Sequence, residues 1–244
     1  MLIEEQRETP EIVHRPVLLP MGRLMYLSRL ILNPRSRQVR SELADLYEMH
    51  RTVMQSFAGR LEDDERVLFR VDVHPKTGIP TLLVQSRHEP AWDFLRAPGK
   101  NYLLPPDDLP QNIENPAVKT VELGFRPGQT LAFRLRATPS VKKKREDQKQ
   151  GRRLGLLREE EQLDWLGRKL QAAGCVLLSS QVCNDGWAVG EKKKEDKRPM
   201  RLLSVQFDGA LRVMDPSALQ NALQAGIGSG KGLGFGLLSL APMR

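Results

Sequence analysis

The stretch Phe125–Thr138, "FRPGQTLAFRLRAT", divides the chain into two halves. "FRPGQ" carries the proline and glycine of a turn. "TLAFRLRAT" then alternates apolar and polar side chains at the period of a half-buried strand. Upstream, "RLMYLSRLIL" (23–32) reads as a strand, residues 45–58 as a helix, and "RVLFRVDV" (66–73) and "IPTLLVQS" (79–86) as strands joined through the turn "HPKTG". A short helix around "PAWDFLRA" (90–97) and a closing strand "VKTVELG" (118–124) complete the set. Downstream the same order recurs. A strand at 130–138 is followed by the helix "REEEQLDWLGRKLQAAG" (158–174), with acids at its start and Gly174 as its terminator. "CVLLSS" (175–180), "RLLSVQF" (201–207) and "ALRVMD" (210–215) are strands, the last two joined by Asp208-Gly209 as a hairpin. The helix "PSALQNALQAG" (216–226) opens on Pro216 and ends at Gly226, and "GLLSL" (236–240) is the last strand. With the two arms of that hairpin counted as one strand position, each half is βαββαβ. The expected fold is therefore α+β, two tandem ferredoxin-like domains over 23–124 and 129–244, after a proline-containing N-terminal arm at 1–22.

The net charge of +8 is unevenly spread. Residues 141–158 hold eight basic and two acidic side chains, and residues 190–201 hold six and three, so the remainder is close to neutral. A neutral body with two basic segments suits a polyanion, and nucleic acid before any other. Aromatic residues make up only 5% of the chain and no aromatic RNA-binding strand motif is present, so base stacking is not expected to be the main grip. No run of eighteen apolar residues occurs and the N-terminus lacks a secretory pattern, which points to the cytoplasm and away from a membrane partner. Cys175 and Cys183 have no second pair and no clustered histidines, so neither a zinc site nor a disulfide framework is expected, and both read as half-buried small hydrophobes.

One histidine has a setting. In "DLYEMHRTVMQSF" Asp45 with Glu48 three residues on reads as a capping box, which places Tyr47 and His50 on one face of the first two helical turns. The positive end of the helix dipole favours a neutral imidazole and attracts a phosphate. Against this, Leu43, Leu46, Val53, Met54 and Phe57 form an apolar stripe with His50 in its middle, the pattern of a core histidine. Spacing leaves both readings open.

Near the C-terminus stands "GIGSGKGLGFG", Gly226–Gly236. A nucleotide-binding P-loop needs a glycine where Ala225 stands and a hydroxyl where Gly232 stands, and it lies between a strand and a helix, whereas this stretch follows a helix and precedes a strand. No nucleotide cofactor is expected. A connector before the last strand and a backbone surface for a bulky anion remain the two readings.

Three stretches in order, "MYLSRLILNPRSRQVRSELADLYEMHRTV" (25–53), "TLAFRLRATPSVKKKR" (130–145) and "GIGSGKGLGFGLLSLAP" (226–242), resemble the CRISPR precursor-RNA endoribonucleases of the type I-E system, the Cas-E family. The resemblance runs from Met25 to Pro242. It implies two tandem ferredoxin-like domains, binding of the CRISPR repeat stem-loop RNA, cleavage at the base of the stem, and retention of the product beside other Cascade subunits. The family's catalytic tyrosine and histidine fall on Tyr47 and His50. Its RNA-binding surface falls on Lys142, Lys143, Lys144, Arg145, Arg152 and Arg153 and on the glycine stretch with Gly228, Gly230, Lys231 and Gly232. Where some members carry a lysine five residues beyond the histidine, this chain has Gln55, which leaves Arg51 and Lys231 as candidates to neutralise the scissile phosphate. The sequence shows no Asp, Glu and His cluster with two-metal spacing, so the expected chemistry uses no metal or cofactor. The RNA 2′-hydroxyl is the expected nucleophile, with His50 assisting its deprotonation and Tyr47 as acid or orienting group. The competing expectation is a non-catalytic RNA-binding scaffold.

Overall fold

A computed structural model describes residues 24–61, 65–143, 152–191 and 199–243. The arm at 1–22 lies outside them. The first half contains β1 (Leu24–Ile31), α1 (Arg37–Ala44), α2 (Leu46–Gln55), β2 (Leu68–Val73), β3 (Pro80–Ser86) and β4 (Ala117–Glu122). The second contains β5 (Thr130–Ala137), β6 (Ser140–Lys143), β7 (Arg152–Gly155), α3 (Glu159–Ala172), β8 (Cys175–Gly190), β9 (Met200–Val213), α4 (Pro216–Ala225) and β10 (Leu238–Pro242). The main sheets run β2-β3-β1-β4 and β10-β5-β9-β8. Every pairing is antiparallel. Within each unit the first strand lies between the third and the fourth, the strand order of a ferredoxin-like sheet. The small hairpin β6–β7 is added to the second unit.

Alternation decides which face of each sheet is buried. In β5, Leu131, Phe133, Leu135 and Ala137 are all buried and their neighbours half-buried. They pack with Trp165, Leu166 and Leu170 of α3 and Leu219 and Leu223 of α4 in one core. A second core gathers Leu30, Val39, Met49, Val53, Phe57, Phe69 and Leu82 from the first half. Where the halves meet, Arg70 is 2% exposed and forks onto Asp72 at 2.8 and 2.9 Å. It also donates to the Arg134 and Leu237 carbonyls across the junction. A cation this deeply buried is tolerable because its donors are met by charge and carbonyl oxygen.

Four local expectations are corrected. Asp208-Gly209 is no hairpin: β9 passes straight through it, paired with Arg134 and Phe133 of β5 on one side and with Gln181 and Ser180 of β8 on the other. Asp208 is there to hold Arg134, at 2.6 Å. Gly209 faces the register shift between Leu177 and Ser179, where a Cβ would collide with the Ser179 carbonyl. β8 instead extends well beyond residue 180, to Gly190, which pairs with Met200 of β9. The helix expected at 90–97 is a single 3-10 turn, Asp93–Leu95. The helix expected at 45–58 is Leu46–Gln55, preceded by α1, which the pattern did not suggest. Finally, the cysteines are not alike, Cys175 being buried and Cys183 exposed.

Candidate RNA-cleavage site

Asp45 breaks the helical run. Its backbone is extended, with φ −131° and ψ 112°, so α1 ends and α2 starts afresh. Its carboxylate accepts from the Tyr47 N–H at 2.9 Å and from the Glu191 N–H at 3.3 Å. One side chain thus caps α2 and ties it to the end of β8. The capping box is only half realised, because the Asp45 N–H donates to the Ser41 carbonyl and Glu48 pairs with Arg51.

The break also bears on His50. Met49, Thr52 and Val53 turn into the core, while His50 stands beside them, half-buried. Leu43, counted in the stripe, is 40% exposed on α1. What His50 faces is the glycine loop. A methyl group added at Gly232 would stand 3.6 and 3.7 Å from its Cε1 and Nδ1, ordinary van der Waals contact, so ring and loop backbone lie side by side. Burial lowers the pKa of His50 below its ordinary 6.5, partly offset by a backbone hydrogen bond with Gly232. The imidazole is therefore mainly neutral at pH 7, the form able to accept a proton. Tyr47 packs its ring edge on Gly190, where an added Cβ would sit 2.9 Å from Cδ2.

The loop carrying Gly232 is folded, not a loose connector. The Ile227 N–H donates to the Gly236 carbonyl at 2.9 Å, and the Gly236 N–H to the Arg136 carbonyl at 2.8 Å. Gly228 lies against Trp165 and Gly230 against Phe235, so the space a side chain would need there is taken by the protein itself. Gly230 also has φ +75°, a conformation that favours glycine. Lys231 begins a 3-10 turn, Lys231–Leu233. Burial lowers its pKa, and the charges of Arg66 and Lys169 lower it further. Arg51 is also near His50 in sequence, but it is exposed and engaged by Glu48.

Lys142 and Arg153 are directly opposite and exposed in the β6–β7 hairpin, and Lys143 and Arg152 are paired in the next register. Like charges in cross-strand register repel unless an anion relieves them. Lys144 and Arg145 lie outside the described residues. Residue patterns missed Gly190, Arg66, Lys169, Trp187 and Arg201. Gly190 carries no periodic signal, and the other four residues are brought near the glycine loop only by tertiary folding. A cavity of about 390 Å³ adjoins α2 and is lined by Leu46, Met49, Arg136, Trp187 and Leu233. Among the described residues no three His, Cys, Asp or Glu side chains are grouped to hold a metal ion, and no helix is long and apolar enough to cross a membrane.

Two sheets of ferredoxin-like order, with a histidine helix from the first facing a glycine loop from the second, define a tandem ferredoxin-like protein. The chain belongs to the CRISPR-associated protein family, whose model matches residues 25–242. It is 38% identical over 230 residues to the CRISPR-associated endoribonuclease Cse3 of Thermus thermophilus, covering 89% of this chain and all of that protein. It is 31% identical over 229 residues to the Cascade subunit CasE of Escherichia coli K12, covering 90% of this chain and all of CasE. Among solved structures, Cse3 bound to a 19-nucleotide RNA superposes with a TM-score of 0.73 at 34% identity, over 89% of this chain and all of that one. Thermus thermophilus Cse3 bound to an RNA representing a pre-cleavage complex gives 0.71 at 34% identity, over 89% of this chain and 99% of that one.

Proposed function

We propose that this protein is the precursor-RNA endoribonuclease of a type I-E CRISPR system, cutting repeat RNA at the base of its stem-loop and then holding the guide within Cascade. The observation that carries the reading is the half-buried His50 on α2, its ring against Gly232 and next in sequence to Lys231, in a chain 38% identical to a CRISPR-associated endoribonuclease. The relative CasE, named as a Cascade subunit, supports the assembly role. We read 23–124 and 129–244 as the two domains, and the cytoplasm as the place of action.

The reaction is an internal transfer needing no metal or added cofactor. The ribose 2′-oxygen attacks the adjacent phosphorus, and its proton passes to the neutral His50 imidazole. The bond from phosphorus to the 5′-oxygen breaks, and Tyr47 gives that oxygen its proton. Products are a 2′,3′-cyclic phosphate and a 5′-hydroxyl. Lys231, whose charge sits in a partly dry setting among other cations, neutralises the phosphorane better than Arg51, which shares its charge with Glu48. Lys142, Lys143, Lys144, Arg145, Arg152 and Arg153 hold the stem by its phosphates, and the 228–232 backbone meets the RNA strand near the cut.

A single 2′-deoxy substitution just upstream of the cut tests this. Cleavage is expected to stop with binding intact and with EDTA having no effect on the unmodified RNA; cutting of the deoxy substrate refutes the mechanism.

A further inference from the structure

Of the three tryptophans, Trp92 and Trp165 are core residues, each 5% exposed, but Trp187 is 48% exposed near the end of β8. An aromatic ring of that size on an exposed strand face gives up hydrophobic stabilisation that burial elsewhere would provide. Its surroundings are specific. The Arg201 guanidinium of β9 lies over the indole, 5.7 Å from the ring centroid. Ring and guanidinium line a groove of about 320 Å³ together with Arg153 of β7, Leu154, Leu202 and Ser229 of the glycine loop. That volume is at the small end of ligand pockets, roughly 300–1,000 Å³. The groove's described lining contains two arginines and no carboxylate.

The position matters as much as the chemistry. Trp187 also lines the 390 Å³ cavity beside Leu46 and Met49 of α2, so it stands between the hairpin groove and the histidine helix. Three residues further along β8, Gly190 carries the Tyr47 ring, its Cα roughly 10 Å from that of Trp187 at strand rise.

We propose that Trp187, with Arg201 and Arg153, is a stacking site for one unpaired base of the RNA that flanks the repeat stem. The inference rests on the endoribonuclease reading above. An aromatic face extended by a guanidinium accepts any base by stacking, while the second arginine and the Ser229 hydroxyl meet the phosphate or sugar of the same nucleotide. A paired base inside the stem has no free face to offer, so the occupant is unpaired. A single base in this groove anchors the strand beside the cut after the basic hairpin has seized the stem. Low aromatic content argues against stacking as the main source of affinity but leaves room for one well-placed ring.

The test compares two RNAs on the full-length protein, the stem-loop alone and the stem-loop with its unpaired flanks. Trp187→Ala is expected to weaken binding of the flanked RNA about tenfold while binding of the stem alone stays within about twofold. Trp187→Phe is expected to retain most of the flanked affinity. An abasic scan of the flanks should find one position that reproduces the loss in the wild-type protein and adds nothing in Trp187→Ala. Equal losses on both RNAs, as a structural role or a protein contact would give, overturn the proposal. So does a wild-type abasic scan with no sensitive position, whether or not the alanine variant folds. A wild-type protein that binds neither RNA instead overturns the endoribonuclease reading, and this site with it.

Discussion

The two halves share one sheet order and do different work. In the first, the chain between β1 and β2 is spent on two short helices broken at Asp45, and the crossover between β3 and β4 contains only 3-10 turns. In the second, both crossovers carry full helices, β8 and β9 form a long antiparallel pair, and β6–β7 and the glycine loop present cations. On the proposed mechanism the first half supplies the reacting side chains and the second the charge and the walls around them. A duplicated architecture can divide chemistry from recognition because each copy is built on one main core, although Met25 and Leu123 of the first pack into that of the second. The site then forms where the copies meet.

The largest expected effect tests the chemical half. His50→Ala should slow cleavage by about 10²–10⁴-fold, measured as single-turnover rate, while the affinity for repeat RNA stays within a fewfold. Comparable losses in binding and in thermal stability would return His50 to the core. The pH profile sharpens the same point. Burial depresses the pKa of His50, so its base form is present at neutral pH and is lost only as pH falls below 6.5. The wild-type rate should therefore be flat near pH 7 and decline on the acid side.

A smaller effect separates the cations. Lys231→Ala should reduce the cleavage rate by about 10²-fold, the scale of removing one oriented donor from a developing charge. Arg51→Ala, which breaks an exposed pair with Glu48, should cost only a fewfold in rate and binding. The opposite ranking would move the phosphate to the outer face of α2.

How much of this was legible in the sequence depends on the period of each signal. The alternation in 130–137 and the helix at 159–172 are strong repeats buried on one face, and the order of such repeats is enough for a tandem βαββαβ chain. Asp208-Gly209 misled because the same dipeptide serves a salt bridge to Arg134 and a bulge against Ser179, needs that imitate a turn locally. α1 was hidden by its charge, with only Val39 and Glu42 buried. Tyr47 and His50 were legible as neighbours on one helix face. That His50 meets Gly232, some 180 residues along, is a tertiary fact with no local trace.

The smallest expected effect lies on the seam between the halves. Asp45 spends one carboxylate on both sides, capping α2 through the Tyr47 N–H and reaching the Glu191 N–H at the end of β8. Asp45→Ala should cost about 1 kcal/mol of stability in a chemical melt, the ordinary loss of a cap. Were the cap only a helix device, cleavage would be unchanged once the folded fraction is corrected for. Because Tyr47 is both the capped N–H and the ring seated on Gly190, the cap also fixes where the first half's chemistry meets the second half's wall. Asp45→Ala should therefore lower the corrected cleavage rate severalfold with binding unaltered, and Asp45→Asn, which keeps an acceptor oxygen, should recover most of it. An alanine variant that is less stable yet cuts at the wild-type rate would show that the two halves register through Arg70 and the sheets alone.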